Sequence, residues 1–259
     1  MKKNSLNETK PIHVAVGVVH NQHGQILFAQ RPIGKPYAGW WEFPGGKLEK
    51  DETITLALSR ELREELGIQI LDCTLWLHQD YEYSHAQVKL HTCNVFSFTG
   101  EVTALENQAF QWGYANKPPQ PFLPAALPVL KALQLPSILY KTNTNFSNLA
   151  VPSVLVAIHW QYPSLLNAYK DQFVRKNDTF WLSAEVNTIN DISIAYQLGC
   201  DFVVIRALEN WGDLSEQLLD VNVPVFVDIS HLDLGPNFAL SLARASGALG
   251  IVVENSKSL

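Results

Sequence analysis

Cysteine is scarce in this chain. Cys73, Cys93 and Cys200 are the only three in 259 residues, and they are odd in number, far apart and without a CxxC pair. That usage offers neither a disulfide framework nor a four-thiolate metal site. Two of the three fall in apolar strand-like runs, so reduced and mostly buried thiols are expected, as in a cytosolic protein. Charge is sparse too. Charged residues make up 17%, and 19 basic against 25 acidic side chains leave a net charge of −6. No broad basic field results, which argues against a nucleic-acid polymer as partner. A small anionic ligand fits only if a metal brings the positive charge. No apolar run approaches the roughly 18 residues of a membrane span, and the polar opening MKKNSLNETK leads into no signal-peptide core. A soluble, cytoplasmic protein without a membrane partner is expected. GxSxG, GK[ST] and GxGxxG are absent as well.

What the chain does have is apolar residues, 47% of the total, ample for buried cores, and a length that suggests about two domains. Residues 12–19 (IHVAVGVV) and 26–31 (ILFAQR) read as two strands around the turn NQHGQ. WWEFPGG gives a short strand ending in a turn. Ile54, Leu58, Leu62 and Leu66 recur every four residues, which predicts an amphipathic helix over 53–66 stopped by Gly67. Strands are expected near 68–77, 87–98 and 108–114, and a Pro-started helix over 124–133. Together these suggest an α+β or layered α/β/α domain over 1–135, with the boundary near LQLPS (133–137). Beyond it, ILYKT (138), VLVAI (154), FWLSA (180), FVVIR (202), PVFVD (224) and GIVV (250) recur every 22–26 residues from the second onward, with helical patterns between. That is the cadence of βα units, too few for a closed eight-stranded barrel. A truncated barrel or an open sheet is expected over 136–259. NTNFSN (143–148) reads as a loop.

One stretch stands out chemically. Gly46 is followed by five residues, Glu52, seven residues, and then Arg60-Glu61-Leu62-Arg63-Glu64-Glu65-Leu66-Gly67-Ile68. On a helix Glu61, Glu64 and Glu65 share a face, and like charges at that spacing repel. Hard divalent cations relieve the repulsion, and all-oxygen donors select Mg²⁺, with Mn²⁺ as the alternative. Arg60 can neutralise Glu52 across the loop, and Gly45 and Gly46 let backbone come close where a side chain would collide. A solvated charged helix face is the competing reading of RELREEL alone. Its weakness is Gly46 and Glu52 standing in register upstream.

Every position fits GX5EX7REUXEEXGU, with U aliphatic, and so resembles the Nudix box. Seven single-identity positions match by chance about once in 10⁹. The resemblance implies an N-terminal Nudix α/β/α sandwich with a mixed sheet, which with the truncated βα-barrel-like domain read from the C-terminal cadence makes the chain α/β. WEFPGGK (41–47) looks like the MutT branch, the diphosphatases that remove oxidised guanine nucleotides such as 8-oxo-dGTP. That likeness implies metal ligation by the Gly45 carbonyl with Glu61, Glu64, Glu65 and Glu106, the last from GEVTALENQAFQW (100–112). Glu61 or Glu106 would be the general base, and Arg60 and Glu52 would support the catalytic helix. Arg31 and Lys47 would meet substrate phosphates, beside Glu42, Phe43 and Pro44. The product would be a nucleoside monophosphate and pyrophosphate, the partner a small nucleotide, and the oligomeric state stays open. One departure matters: the family's purine-binding asparagine, two residues before a proline, is Ala126 here. Other diphosphate substrates, pyrimidine triphosphates or thiamine-pathway compounds, therefore stay open, as does a non-catalytic nucleotide sensor.

AYQLGCDFVVIRAL and VNVPVFVDI resemble a degenerate thiamine-phosphate synthase domain. His159, Glu185, Arg206, Asp228 and His231 would fall near strand C-termini there. The expected phosphate-gripping glycines are replaced by DISHLD, so a packing or regulatory role is implied. His85, His91 and Cys93 could be drawn as metal ligands but lack a fourth partner. His13, His20 and His23 are expected to face solvent.

Overall fold

The computed structural model describes residues 10–141, 146–147, 157–160, 181–206, 214–216 and 218–254. The chain divides into two compact units, Met1–Cys73 with His78–Pro128, and Thr74–Leu77 with Val129–Leu259. The main division, between Pro128 and Val129, falls earlier than the LQLPS break. That break marks where the last helix of the segment ends, not where the packing changes.

The first unit contains β1 (Ile12–Val19), β2 (Ile26–Gln30), β3 (Trp41–Glu42), β4 (Gly45–Lys47), α1 (Ile54–Leu66), β5 (Gln69–Tyr83, of which Thr74–Leu77 fall in the second unit), β6 (Ala86–Thr99) and β7 (Phe110–Gly113). A 3₁₀ turn at Pro124–Ala126 then leads into α2 (Leu127–Ala132). Strands pair in the orders β4-β1-β6-β5 and β3-β2-β7. The first sheet is mixed: β1 runs antiparallel to β4 and parallel to β6. β5 and β6 are longer than the sequence suggests. Residues 78–83 (HQDYEY) are polar, yet a two-residue turn at Ser84–His85 folds them back along β6 as a hairpin.

α1 forms as its spacing predicts. Thr53 caps it, its hydroxyl accepting from the Leu56 amide, and Gly67 ends it in the left-handed region at φ 68°. Ala57, Leu58, Leu62 and Leu66 are buried, and the helix packs on β1 and β4. Gly17 of β1 makes room for it, since a Cβ there would press on Leu58. Phe28, Phe43 and Phe122 pack together in tilted and edge-to-face contacts with centroids 5.5–5.7 Å apart and anchor the loop before β4.

The second unit contains β8 (Ile138–Lys141), β9 (Phe146–Ser147), β10 (Ala157–Trp160), β11 (Trp181–Val186), α3 (Ile189–Gln197), β12 (Phe202–Arg206), β13 (Val225–Asp228), α4 (Pro236–Ala245) and β14 (Gly250–Glu254). The strand order is β10-β11-β12-β13-β14-β8-β9, parallel except for β9. The last strand pairs with the first, β14 with β8, which is the pairing that closes a βα barrel. No pairing joins β8 to β10 among the described residues. The described strands thus form a parallel sheet with barrel-type order, and the truncated-barrel expectation holds. The loop expected at 143–148 is corrected in part: Phe146 and Ser147 pair with Lys141 and Tyr140 as β9. Residues 143–145 and 148, and the first part of VLVAI, lie outside the described residues.

Candidate active site

A cavity of about 600 Å³ opens on the first unit, and its wall includes Glu42, Gly45, Gly46, Glu61, Glu65 and Glu106. Four carboxylates thus face one space. α1 supplies Glu61 and Glu65, β3 supplies Glu42, and the loop before β7 supplies Glu106. Glu64 is not part of this wall, and its side chain is 53% exposed. The helix turns about 100° per residue. Relative to Glu61, Glu65 therefore lies about 40° to one side and Glu64 about 60° to the other. The shared face predicted for the three is broad, and the cavity covers one side of it.

The box glycines have separate reasons. Gly45 sits at φ 140°, where a Cβ would run into the Ala15 carbonyl of β1. A Cβ on Gly46 would occupy the place of the Glu61 carboxylate. What a side chain meets at these positions is β1 and the helix carboxylate.

Arg60 is the organiser of the loop. Its Nε donates to Glu52 Oε1 (3.0 Å), its Nη2 to Glu52 Oε2 (2.9 Å) and to the Lys47 carbonyl (3.0 Å). Its Nη1 donates to Glu61 Oε1 (2.9 Å) and, at 3.4 Å, to Glu64 Oε2. The Arg60 hydrogen bond, with a second from the Glu49 amide, holds the Glu52 carboxyl below its ordinary value. Lys47 itself is exposed at the cavity wall.

Glu65 is held far from its ordinary charge state. Burial pushes its carboxyl up to about 8, and Glu61, Glu42 and Glu106 push the same way, against a hydrogen bond from the Gly45 amide. Burial likewise raises Glu42, which Arg31 opposes. Arg31 is not a free cation: Nη1 donates to both Glu42 oxygens (2.9 and 2.7 Å) and Nε to the Pro36 carbonyl (2.8 Å). It therefore faces the cavity as half of an ion pair. Phe43 is buried, and the Pro44 carbonyl accepts from the Gly17 amide at 2.9 Å, which fixes the backbone leading into Gly45.

The loop bearing Glu106 is tied to the end of α1. The Thr103 amide donates to the Leu66 carbonyl (3.0 Å) and the Leu105 amide to the Glu65 carbonyl (2.9 Å), using carbonyls a helix terminus leaves unpaired. Gln108, buried and not singled out from the sequence, completes the tie. Its Nε2 donates to the Glu65 carbonyl and its Oε1 accepts from the Glu106 amide, both at 3.0 Å. A glutamine two residues after an acidic residue carries no sequence signal of this role. Glu106 itself lies 3.9 Å from Lys35 and is half-exposed.

Tyr83 and His85 at the hairpin tip line the other wall, with Ala125 and Ala126. The Tyr83 hydroxyl accepts from the Ala125 amide, and burial raises its phenol. Tyr37 stands 5.5 Å from the Tyr83 ring. Ala126 therefore faces the cavity but offers it only a methyl group.

Among the described residues no three His, Cys, Asp or Glu side chains already converge on one point as a metal site. Glu61 is turned toward Arg60 and Glu64 toward solvent. The donor set nonetheless suits a hard divalent cation. It is all oxygen, and burial followed by the neighbouring carboxylates raises its Glu65 carboxyl, which the charge of a cation would oppose.

The other candidates are dispersed. His91 lies between His13 (2.8 Å) and His78 (2.6 Å), while His85 is in the cavity wall, so His85, His91 and Cys93 form no ligand set. In the second unit Asp228, at the end of β13, is buried. Burial pushes its carboxyl up, but Ser230 and Lys141 (3.0 Å) together hold it below its ordinary value. Arg206 is its register neighbour at the end of β12, Glu185 lies within β11, and His231 is exposed. The side chain of His159, in β10, lies outside the described residues.

Comparison with known proteins agrees with this geometry. Residues 11–115 match the NUDIX domain model. The chain is 40% identical over 96 residues to an 8-oxo-dGTP diphosphatase of Proteus vulgaris, covering 37% of this chain and 86% of that one. It is 41% identical over 124 residues to a CTP pyrophosphohydrolase of Escherichia coli, covering 48% and 91%. An 8-oxo-dGTP diphosphatase of the same organism is 32% identical over 126 residues, 48% and 98%. With the full box intact around a four-carboxylate cavity, and with relatives matched over nearly their whole length, this chain belongs to the Nudix family of hydrolases.

Proposed function

We propose that the first unit is a cytoplasmic, divalent-cation-dependent nucleoside triphosphate diphosphatase, releasing monophosphate and pyrophosphate, with oxidised guanine nucleotides such as 8-oxo-dGTP as substrates. The observation that carries it is Glu65, a buried carboxyl raised to about 8 among Glu61, Glu42 and Glu106 on the wall of one cavity. The Gly45 carbonyl, Glu61, Glu64, Glu65 and Glu106 would hold a Mg²⁺ or Mn²⁺ ion, which would supply charge neutralisation for phosphate oxygens and acidify water. Water attacks the β-phosphorus and the bond to the α–β bridging oxygen breaks. A carboxylate oxygen of Glu61 or Glu106 takes the water proton. Glu106 is the less encumbered base, because Glu61 Oε1 already accepts from Arg60. Lys47 and Arg31 neutralise phosphate charge, and Glu42 holds the Arg31 guanidinium in place. Arg60 and Glu52 keep the glycine loop against α1.

Proton and cation compete for Glu65. Below about 8 the carboxyl is protonated, so cation binding releases a proton. The apparent Kd for Mn²⁺, measured by titration calorimetry, is expected to fall roughly tenfold from pH 6 to 7 and to level off above 8. A Kd independent of pH over that range contradicts the assignment of Glu65.

A second reading, a pyrimidine triphosphate substrate, is favoured by Ala126, which brings no amide to the cavity wall, and by the likeness to a CTP pyrophosphohydrolase. A steady-state panel of 8-oxo-dGTP, dGTP and CTP separates the two. The expected result is pyrophosphate release, with kcat/KM for 8-oxo-dGTP roughly tenfold or more above dGTP. Equal rates for both guanine nucleotides remove the sanitising role, and CTP ahead of both establishes the second reading.

A further inference from the structure

Cys73 and Cys93 lie apart in sequence but meet in the fold, on the neighbouring strands β5 and β6. Cys93 is the register partner of Gly17 on β1, so it faces the same side as Gly17, toward α1. Cys73 lies close enough to the Thr55 hydroxyl, in the first turn of α1, and to the Cys93 thiol to interact with both. One is half-buried and reachable; the other is buried. Neither belongs to the cavity wall or to the proposed chemistry.

We propose that Cys73 and Cys93 are a redox-active pair that a hydroperoxide converts into an intrachain disulfide. The Cys73 sulfur attacks the peroxide, the O–O bond breaks, and the departing oxygen takes a proton as water or alcohol, leaving Cys73 as a sulfenic acid. The Cys93 sulfur, losing its proton, then displaces the hydroxyl as water and forms the S–S bond. Two thiols and one peroxide thus give one disulfide, one water and one water or alcohol. The division of labour follows from the surroundings. The neighbouring Cys93 brings the Cys73 thiol down to about 7, against burial and with help from Thr55, while the same proximity and burial raise Cys93. Cys200 is an internal control: burial, with Asp201, pushes its thiol up to about 12.

The test is hydrogen peroxide treatment of the reduced full-length protein, alkylation, denaturation, and peptide mapping by mass spectrometry without reduction. The expected result is a Cys73–Cys93 linked peptide lacking two hydrogens, with the denatured thiol count falling from three to one. Cys73→Ser should give no linked peptide and keep both remaining thiols alkylated. The proposal is overturned if all three thiols survive, if Cys73 accumulates as sulfinic acid beside an alkylated Cys93, or if the bond joins two chains on a non-reducing gel. The wild-type reading stands even if the variant fails to fold.

Discussion

Glu65→Gln lowers kcat by about 10³-fold while leaving the fold intact, because it deletes one carboxylate from a cavity that works by gathering them. The separation of activity from stability follows from the charge state. In the cation-free protein Glu65 is held neutral up to about 8, first by burial and then by Glu61, Glu42 and Glu106. Glutamine reproduces that neutral form. For a carboxyl raised from 4.5, the unfolded chain ionises first as pH rises. Stability is therefore full below about 4.5 and is lost progressively towards 8. The glutamine variant escapes this loss, so its cation-free thermal midpoint at pH 9 should equal or exceed that of wild type. Steady-state turnover and thermal unfolding at pH 7 and 9 read both halves. Retention of more than about a tenth of the wild-type rate would refute the ligand role, since such losses ordinarily cost 10² or more.

Gly46→Ala is the second large effect, about 10² in kcat. The new methyl group would lie where the Glu61 carboxylate now sits, and that carboxylate is also held by Arg60 at 2.9 Å. The side chain must swing away from the cavity, which removes a ligand and one candidate base together. Gly46 is more informative than Gly45. A Cβ on Gly45 would run into the Ala15 carbonyl at a backbone angle of φ 140° and so disturb the pairing of β1 with β4. At Gly46 the obstacle is the far end of a side chain, and the β1–β4 ladder can persist. Unchanged circular dichroism with lost turnover is the expected outcome. Wild-type turnover in Gly46→Ala would show that the Glu61 position is not needed.

Much of this site is legible in the chain's local patterns. The spacing from Gly46 through Glu52 to Gly67 specifies both a helix and its chemistry, because the glycine and Glu52 stand in register with three carboxylates that by themselves would read as a solvated helix face. Thr53 and Gly67 bound the helix where the periodicity says they should. The partnership of Arg60 with Glu52 is readable as charge complementarity across a short loop, and both bonds are present. The βα cadence of the second unit likewise reports its strands, since buried parallel strands need continuous apolar runs.

Other features have no local signature. Gln108 pins the Glu106 loop through bonds to a carbonyl 43 positions earlier. Arg31, whose position suggests a phosphate ligand, is paired with Glu42 across 11 positions. Glu64 looks equivalent to its neighbours in sequence, and only the packing of α1 on β1 and β4 distinguishes it. The extension of β5 through HQDYEY depends on β6 lying beside it.

The sequence alone determined the family, the acidic helix and the kind of chemistry it supports. Those are properties of short segments, set by side-chain type and helical period. Only the tertiary structure decided which carboxylates share the cavity, what makes Glu65 hold its proton, and which thiols meet. Burial and through-space charge depend on what distant segments bring alongside, and no local pattern encodes that.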